Sequence, residues 1–275
     1  MGNKRVVLGP LYRAEIIAPA TGFPAVVGSI GSREYIVLDD RDVERVLVLA
    51  AHPDDIDYGA AGTVATWTEA GIEVSYCLVT DGDAGGFDPA VPRSEIGGIR
   101  RAEQSAAAAH VGVRQLYWLG YPDGRLAATF ELRRDITRVI RQVRPQRMVI
   151  PSPERDWARL APSHPDHLEA GEAAMRAIYP DARNPFAHPE LRDVEGLKEW
   201  TVSETWLSPT GAPDHAVEVS AVFERKMAAL LSHASQTGHL SGLREEVSAM
   251  LARNAERFGL GAGLMAEVFR VVDTR

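Results

Sequence analysis

The sequence predicts an α/β fold built on a mainly parallel β-sheet with helices on both faces. Residues 46–51 (VLVLAA) and 74–79 (VSYCLV) are continuous apolar runs, which is the pattern of strands buried on both faces of a parallel sheet. Between them, residues 59–70 have helical spacing and end at Gly71, a residue that suits a helix C-cap. Because strand and helix alternate in this way, we expect right-handed βαβ units.

The alternation continues along the chain. We predict further strands over residues 115–119, 148–150 and 202–207, and further helices over residues 100–110, 132–143, 168–178, 221–231 and 245–258. Residues 1–42 differ, because they hold short apolar runs separated by glycine and proline. We interpret them as an N-terminal extension of short strands or an extended arm, followed by one domain over residues 43–275.

The composition argues against a nucleic-acid or membrane partner. Of the 275 residues, 45% are hydrophobic and 25% are charged, with a net charge of −8, whereas nucleic acids and anionic membranes require clustered Lys and Arg. Cys77 is the only cysteine, which excludes an internal disulfide and favours a reducing compartment. The N-terminal residues lack the apolar segment of a signal peptide, and no stretch is long enough to span a bilayer. We therefore expect a cytoplasmic location.

Two similar motifs stand where predicted strands end. His-Pro-Asp-Asp at 52–55 follows the first strand directly, and His-Pro-Asp-His at 164–167 lies in the loop after residues 148–150 and begins a helix. Ligands bind beyond the carboxyl ends of the strands in such sheets, so we expect the two motifs to converge. One acidic pair in a loop is usually a turn former. Two such clusters are costly to bury unless a cation compensates their charge.

The converging residues fit a catalytic zinc site. His52 and His167 supply imidazole nitrogen and Asp55 supplies carboxylate oxygen, a donor set that leaves one zinc position for water. Zinc lowers the pKa of its bound water from about 16 to about 7. Asp54 then remains as the general base that takes the proton of this zinc-activated water. Two imidazoles and one carboxylate also accept another divalent metal such as Fe²⁺, so the identity of the metal stays open.

The second motif supplies two more candidate catalytic residues. His164 lies three residues before His167, so both share a face on a first helical turn. When protonated, His164 can stabilise an oxyanion or protonate a leaving amine. Asp166 can orient an imidazole through a hydrogen bond. Together these residues indicate metal-assisted amide hydrolysis.

These motifs belong to a longer series that resembles the PIG-L/LmbE-like zinc-dependent N-acetylglucosaminyl deacetylase family. The matching segments are AAHPDD (50–55), GAAGTVATW (59–67), TDG (80–82), RRAEQSAAA (100–108), PDG (122–124), SHPDH (163–167) and KMAALLSHASQ (226–236). The resemblance runs from about residue 45 to about residue 240 and is specific, because the paired motifs occur in the right order within the βα pattern. It implies a Rossmann-like fold and a zinc-dependent de-N-acetylase.

The resemblance also implies roles for single residues. It makes His52, Asp55 and His167 the zinc ligands, Asp54 the general base, His164 the electrophilic or acid partner and Asp166 the residue that tunes His164. Arg100 and Asp123 match positions that contact the substrate sugar, although a surface ion pair and a turn are the ordinary alternatives. His233 matches the segment at 226–236 and is predicted either to support the site from behind or to cap a helix.

The chain departs from the family pattern at two places. Many members carry Glu after the first motif, where this chain has Ile56 and then Asp57. Members active on thiol-sugar conjugates often have tyrosine and glycine before the second motif, where this chain has ERDWAR at 154–159. Since that loop is expected to form part of the pocket wall, no particular substrate can be carried over from the family.

The function expected from these observations is removal of an N-acyl group, N-acetyl foremost, from a small amino-sugar-like molecule. The alternatives are an amidase acting on a non-sugar or thiol-sugar conjugate, and a non-catalytic metal- or sugar-binding module on the same fold. A nucleotide-dependent oxidoreductase is disfavoured, because HPDDIDYGAAG replaces the G-x-G-x-x-G that would follow the first strand. The expected partner is a small N-acylated substrate, and the N-terminal arm is compatible with a homo-oligomer.

Overall fold

The structure is a computed structural model that describes residues 37–275. Its first part alternates strand and helix as predicted. The elements are β1 (Arg45–Ala50), α1 (Asp55–Gly59), α2 (Ala61–Glu69), β2 (Glu73–Thr80), α3 (Arg93–His110), β3 (Gln115–Tyr121), α4 (Phe130–Val143), β4 (Arg147–Ile150) and α5 (Pro165–Arg176). This part builds the parallel half of the sheet.

The second part completes the sheet with an antiparallel edge. Its elements are α6 (Pro189–Asp193), β5 (Glu204–Leu207), β6 (His215–Glu218), α7 (Phe223–Leu231), α8 (Ala234–Thr237), α9 (Leu243–Arg257) and β7 (Ala266–Asp273). Within the described range the seven strands are ordered β3-β2-β1-β4-β5-β7-β6. Strands β1 to β5 pair in parallel, and β7 pairs antiparallel with β5 and β6. The predicted mainly parallel α/β fold is confirmed.

Strand order places a ligand-binding crevice between β1 and β4. The chain proceeds from β1 outward to β2 and β3, then returns to the other side of β1 to form β4. At such a topological switch point the loops that follow the two neighbouring strands diverge to opposite faces and leave a crevice. Both predicted motifs follow these two strands, at 52–55 and 164–167.

The continuous apolar pattern of β1 follows from helices on both faces of the sheet. Val46 and Val48 pack into a core shared with α2, α7 and α9, whereas Leu47 and Leu49 pack into a second core shared with α4 and α5. None of these four side chains is more than 2% exposed. The two cores hold β1 rigidly, and with it the start of the site.

Three features differ from the sequence prediction. The helix predicted over 59–70 begins only at Ala61, because Ala60 (φ −142°) breaks the helical backbone, and the short helix α1 before this break was not predicted. Strands β6 and β7 were not predicted, because they pair antiparallel at one edge and lack the continuous apolar pattern of a strand buried on both faces. The short helices α6 and α8 hold too few residues to show a period.

Most of the predicted N-terminal extension, 1–42, lies outside the described residues, and of it only residues 37–42 are described. These residues include a short 3₁₀ turn, Asp40–Asp42. Among residues 37–275, no helix combines the length and the apolar character needed to cross a bilayer.

Candidate active site

The two motifs meet at the carboxyl ends of β1 and β4. His52 lies in the turn after β1, Asp55 is the first residue of α1, and His167 lies in the first turn of α5. Helix α5 begins where it does because the His164 side chain accepts a hydrogen bond from the Asp166 N–H and Pro165 occupies a first-turn position that needs no N–H. These local rules bring residues from distant parts of the chain to one crevice.

Three side chains form a group that matches a tetrahedral metal site, here called the ligand triad: His52, Asp55 and His167. His52 Nδ1 lies 3.3 Å from His167 Nε2 and 3.6 Å from Asp55 Oδ2. His167 Nε2 lies 3.0 Å from Asp55 Oδ1. Ligand atoms bonded to tetrahedral zinc at its usual bond lengths are about 3.3 Å apart. The three side chains are therefore close enough to hold one divalent cation.

The opposite nitrogen of His52 is held by two carboxylates. His52 Nε2 lies 3.0 Å from Asp123 Oδ1 and 3.2 Å from Asp166 Oδ2. Since a carboxylate only accepts hydrogen bonds, Nε2 carries the proton and donates it, which leaves the Nδ1 lone pair of the neutral ring for a metal. Burial lowers the pKa of His52, but the hydrogen bonds to Asp123, Asp166 and Asp55 outweigh burial and raise it to about 12.

Asp166 acts mainly through hydrogen bonds to the backbone and to His52. Its Oδ2 accepts from the Gly124 N–H at 2.7 Å, and its Oδ1 accepts from the Leu126 N–H at 3.2 Å. The structure thus places this carboxylate on His52, whereas the resemblance assigned it to His164. A second group of potential ligands, His52, His164 and Asp166, also lies close together. Because the Asp166 oxygens are already occupied by these donors, the ligand triad is the better metal site.

His164 stands at the exposed side of the crevice. Its ring lies 5.1 Å from the ring of His52 and 5.6 Å from that of His167, measured between centroids. Its Nδ1 accepts the Asp166 N–H at 3.2 Å. In the neutral ring the proton therefore resides on Nε2, so His164 presents a hydrogen-bond donor.

Asp54 is held in a left-handed backbone conformation beside the triad. Its φ is 91°, which is uncommon for a residue other than glycine and is a feature of functional sites. Its N–H donates to Gln104 Oε1 at 2.9 Å, and its Oδ2 lies 3.3 Å from Arg100 Nη2. Burial and the neighbouring Asp55 carboxylate raise the pKa of Asp54 to about 7. A carboxyl with a pKa near neutrality suits a general base.

A buried hydrogen-bond network supports Asp54 from behind. Gln104 Nε2 donates to Asp57 Oδ2 at 2.8 Å, and His233 Nε2 donates to the same oxygen at 2.8 Å. Gln104, Asp57 and His233 are all fully buried. His233 therefore lies behind the site, as one of its two predicted roles requires, and Asp57 gives it a partner there.

The break between α1 and α2 is held by a buried ion pair. Lys226 Nζ donates to the carbonyls of Asp57 and Tyr58 and lies 2.7 Å from Glu267 Oε1. Glu267 also accepts the N–H groups of residues 62 and 63 at the start of α2. Helix ends leave carbonyls and N–H groups without partners, so this pair satisfies both ends of the break at once.

The two residues predicted to bind substrate are both buried. Arg100 donates hydrogen bonds to the carbonyls of Pro53 and Gly82. Position 82 has no room for a side chain, because a Cβ there would lie 2.3 Å from Arg100 Nη1. Asp123 accepts from His52 Nε2 and from the Ala84 N–H. Both residues thus brace the crevice, and contact with substrate stays a prediction for each of them.

Comparison with known proteins assigns the chain to a family. The family model described as PIG-L, GlcNAc-PI de-N-acetylase, matches residues 47–178. The diacetylchitobiose deacetylase of Thermococcus kodakarensis is 34% identical over 195 residues, which cover 71% of each chain. The chain belongs to the PIG-L family.

Further relatives agree with this membership. A probable N-acetyl-alpha-D-glucosaminyl L-malate deacetylase 2 of Bacillus cereus is 32% identical over 201 residues. The matched region covers 70% of this PIG-L family chain and 83% of the relative. The crystal structure of N,N'-diacetylchitobiose deacetylase from Pyrococcus horikoshii, in complex with an inhibitor, superimposes with a TM-score of 0.75 at 30% identity and covers 85% of each chain. The resemblance stated from the motifs is confirmed, and the relatives are deacetylases of N-acetylated sugars.

Sequence reasoning missed the supporting residues of this PIG-L family site. Gln104 and Lys226 lie inside two of the matching segments but were given no role. Glu267 lies in β7, outside the resemblance. Their partners are far away in sequence, so no local spacing could have revealed them. The presence of a charged residue or an amide in an otherwise apolar helix face was the only usable signal.

Metal binding is expected to release protons and to strengthen as pH rises. Without metal, the pKa of His52 is raised to about 12. Burial lowers the pKa of His167, but the Asp55 carboxylate outweighs burial and raises that pKa. At least one of the two rings is therefore protonated at neutral pH. A ring nitrogen must lose its proton before it binds metal. The apparent affinity should therefore rise about tenfold per pH unit for each proton displaced, between about pH 6 and pH 8. Calorimetric titrations in buffers of different ionisation enthalpy count these protons, and a pH-independent affinity would contradict the assignment.

Gln104→Met is expected to lower kcat by about tenfold without changing metal affinity. The variant removes the acceptor of the Asp54 N–H and leaves that donor buried and unsatisfied, which costs about 1–3 kcal/mol. Gln142→Met on the exposed face of α4 is the matched control and should behave as wild type. Steady-state rates and metal content measured together distinguish misplacement of Asp54 from loss of the metal, and equal loss of both would refute the positioning role.

Proposed function

We propose that this protein is a zinc-dependent deacetylase that hydrolyses the N-acyl amide, N-acetyl foremost, of a small amino-sugar-like substrate. The observation that carries the proposal is the ligand triad, whose donor atoms lie 3.0 to 3.6 Å apart beside a carboxyl group with a pKa raised to about 7. A bound divalent cation would acidify a coordinated water molecule and polarise the amide carbonyl. The donor set also suits Fe²⁺, so the proposal of zinc needs its own test.

The residues around the triad have distinct proposed roles. Asp54 accepts a proton from the water that attacks the amide carbonyl carbon, because it is the carboxylate that neither binds metal nor orients His52. His164 donates a hydrogen bond from Nε2 to the carbonyl oxygen as it gains negative charge. Asp54 then returns the proton it took from water to the leaving nitrogen as the C–N bond breaks, which gives a free amine and a carboxylate. Asp123 and Asp166 hold the ring of His52 in the tautomer that binds metal.

One observation favours an enzyme over a binding module. A module needs the ligand triad but has no use for a carboxyl group held in the left-handed region at φ 91°. Such strain costs about 1–3 kcal/mol and persists when function requires it. The relatives act on N-acetylated sugars, which supports an amino-sugar scaffold. A cytoplasmic location and a homo-oligomer stay predictions.

The proposal is tested with a panel of N-acetylated amino sugars and metal-loaded protein. Protein stripped of metal and reloaded separately with Zn²⁺ or Fe²⁺ is incubated with N-acetylglucosamine, a disaccharide of it and an N-acetylated non-sugar amine, and the released amine is measured. The proposal predicts amine release from the sugars, dependence on metal and greater activity with Zn²⁺. Release from the non-sugar amine alone would favour the amidase alternative, and no release from any substrate would refute the proposed activity.

A further inference from the structure

A cavity of about 440 Å³ begins beside the ligand triad and extends along one face of the sheet toward α9. Asp55 and His167 form one end, and Met250 and Leu251 of α9 form part of the other. Its size lies within the range of about 300–1,000 Å³ that ligand pockets occupy. An acetyl group fills only a small part of such a volume.

Part of the cavity lining is apolar and is here called the apolar wall. Its residues are Ile56, Val149, Ile150, Met250, Leu251 and Val268. Glu267 also lines it, but its carboxylate is already bonded to Lys226 and to two backbone N–H groups. Asn254 Nδ2 likewise donates to the Ala266 carbonyl. This wall suits hydrocarbon better than a sugar, whose hydroxyl groups need several hydrogen-bond partners.

Polar groups line the rest of the cavity, among them the buried Ser152 and Ser163. Glu154 and Arg159 belong to the loop after β4 and are exposed. The cavity thus combines exposed charged groups, two members of the ligand triad and apolar side chains. A polar head joined through an amide to an apolar chain carries the same three kinds of group.

We infer that this cavity receives the acyl chain of the substrate, so that the enzyme hydrolyses amides of acyl chains longer than acetyl. The inference rests on the proposed function, because it takes the scissile amide to lie at the ligand triad, and it changes that function in one respect: the preferred acyl group is longer than N-acetyl. Each methylene group that enters the apolar wall is expected to raise kcat/KM by about two- to fourfold until the cavity is full. The preference for the long chain is thus a property of Ile56, Met250, Leu251 and their neighbours.

The first test compares N-acetyl-, N-butanoyl- and N-hexanoylglucosamine as substrates of the zinc-loaded protein. The inference predicts that kcat/KM rises along the series and is at least about tenfold higher for hexanoyl than for acetyl. A value for hexanoyl equal to or below that for acetyl overturns the inference and leaves the proposed deacetylase function intact.

Met250→Trp tests where the chain lies. Met250 is partly buried on α9 and distant in sequence from the metal ligands, so a larger side chain there fills the cavity. We expect the hexanoyl-to-acetyl ratio of kcat/KM to fall at least about tenfold, because the larger side chain removes space that only the longer chain uses. Ala249→Trp, on the exposed side of the same helix, is the control and should leave the ratio unchanged. An equal loss for both substrates would overturn the inference, because the cavity would then hold the amine-bearing part.

A binding measurement separates failure of the inference from failure of the proposed function. Hexanoate and acetate are titrated into zinc-loaded wild-type and Met250→Trp protein. The inference predicts at least about tenfold tighter binding of hexanoate to wild type and loss of this preference in the variant. Equal binding of the two acids overturns the inference. Preferential binding of hexanoate with no amide hydrolysis in any assay refutes the proposed hydrolase function, and with it the inferred hydrolysis of long-chain amides, although the cavity would still bind an acyl chain.

Discussion

Asp54→Asn is expected to lower kcat by about 10²- to 10⁴-fold while the protein retains its metal. The variant removes the proton acceptor and keeps the size of the side chain. Asparagine is a better replacement than alanine, because it tolerates the left-handed conformation that residue 54 adopts at φ 91°. The ligand triad is untouched. Turnover of an N-acetylated amino sugar and metal content by elemental analysis are measured on the same preparation.

Asp88→Asn is the matched control for this prediction. Asp88 is exposed, and its Oδ1 accepts the Ala90 N–H, a bond that asparagine can also make. The kcat of the Asp88→Asn protein should equal that of wild type. If Asp54→Asn retains kcat within tenfold, Asp54 is not the general base. Loss of metal together with activity would instead make Asp54 part of the metal site.

Lys226→Met is expected to lower the free energy of unfolding by about 3–5 kcal/mol. The Lys226 side chain is 0% exposed and that of Glu267 is 1% exposed, so the variant leaves a buried carboxylate without its cation. It also removes the donor that satisfies the carbonyls of Asp57 and Tyr58 at the end of α1. Urea unfolding of the metal-free protein measures the loss without interference from ligand binding.

Two further variants make this prediction specific to the buried pair. Lys226→Met combined with Glu267→Gln should lose less than the sum of the two single variants, by about 1 kcal/mol or more, because the double variant carries no unpaired charge. Glu224 lies on the same helix as Lys226 and forms an exposed ion pair with Arg244. Glu224→Ala removes this pair and should lower the free energy of unfolding by less than about 1 kcal/mol. A small effect of Lys226→Met, equal to that of Glu224→Ala, would show that the helix break does not need the pair.

The sequence was sufficient to predict the parallel half of the sheet and the proximity of the two motifs in the fold. The apolar run at 46–51 is continuous because β1 packs on both faces, and that pattern is local and can be recognised. Once β1 and β4 are neighbours, their carboxyl ends fix where His52 and His167 lie. Periodicity and the positions of the motifs therefore locate the site, the residue types indicate its chemistry, and the resemblance adds the family.

The details that tune the site depend on contacts that no local pattern records. The partner of His52 Nε2 is Asp123 as well as Asp166, and Asp123 was predicted instead to bind substrate. The break at Ala60 is stabilised by Lys226 and Glu267, which lie far along the chain. Helical propensity favours continuity through residue 60, and tertiary hydrogen bonds override it. Such pairings become visible only when the chain is folded.

We expect His52, Asp55 and His167 to bind one divalent cation. Crystals of the zinc-loaded protein, measured on both sides of the zinc absorption edge, locate the ion directly. We predict one strong anomalous peak bonded to His52 Nδ1, an Asp55 oxygen and His167 Nε2 at about 2.0–2.2 Å. A peak bonded instead to His52 Nε2 and Asp166, or no peak at the crevice in zinc-saturated crystals, would contradict it.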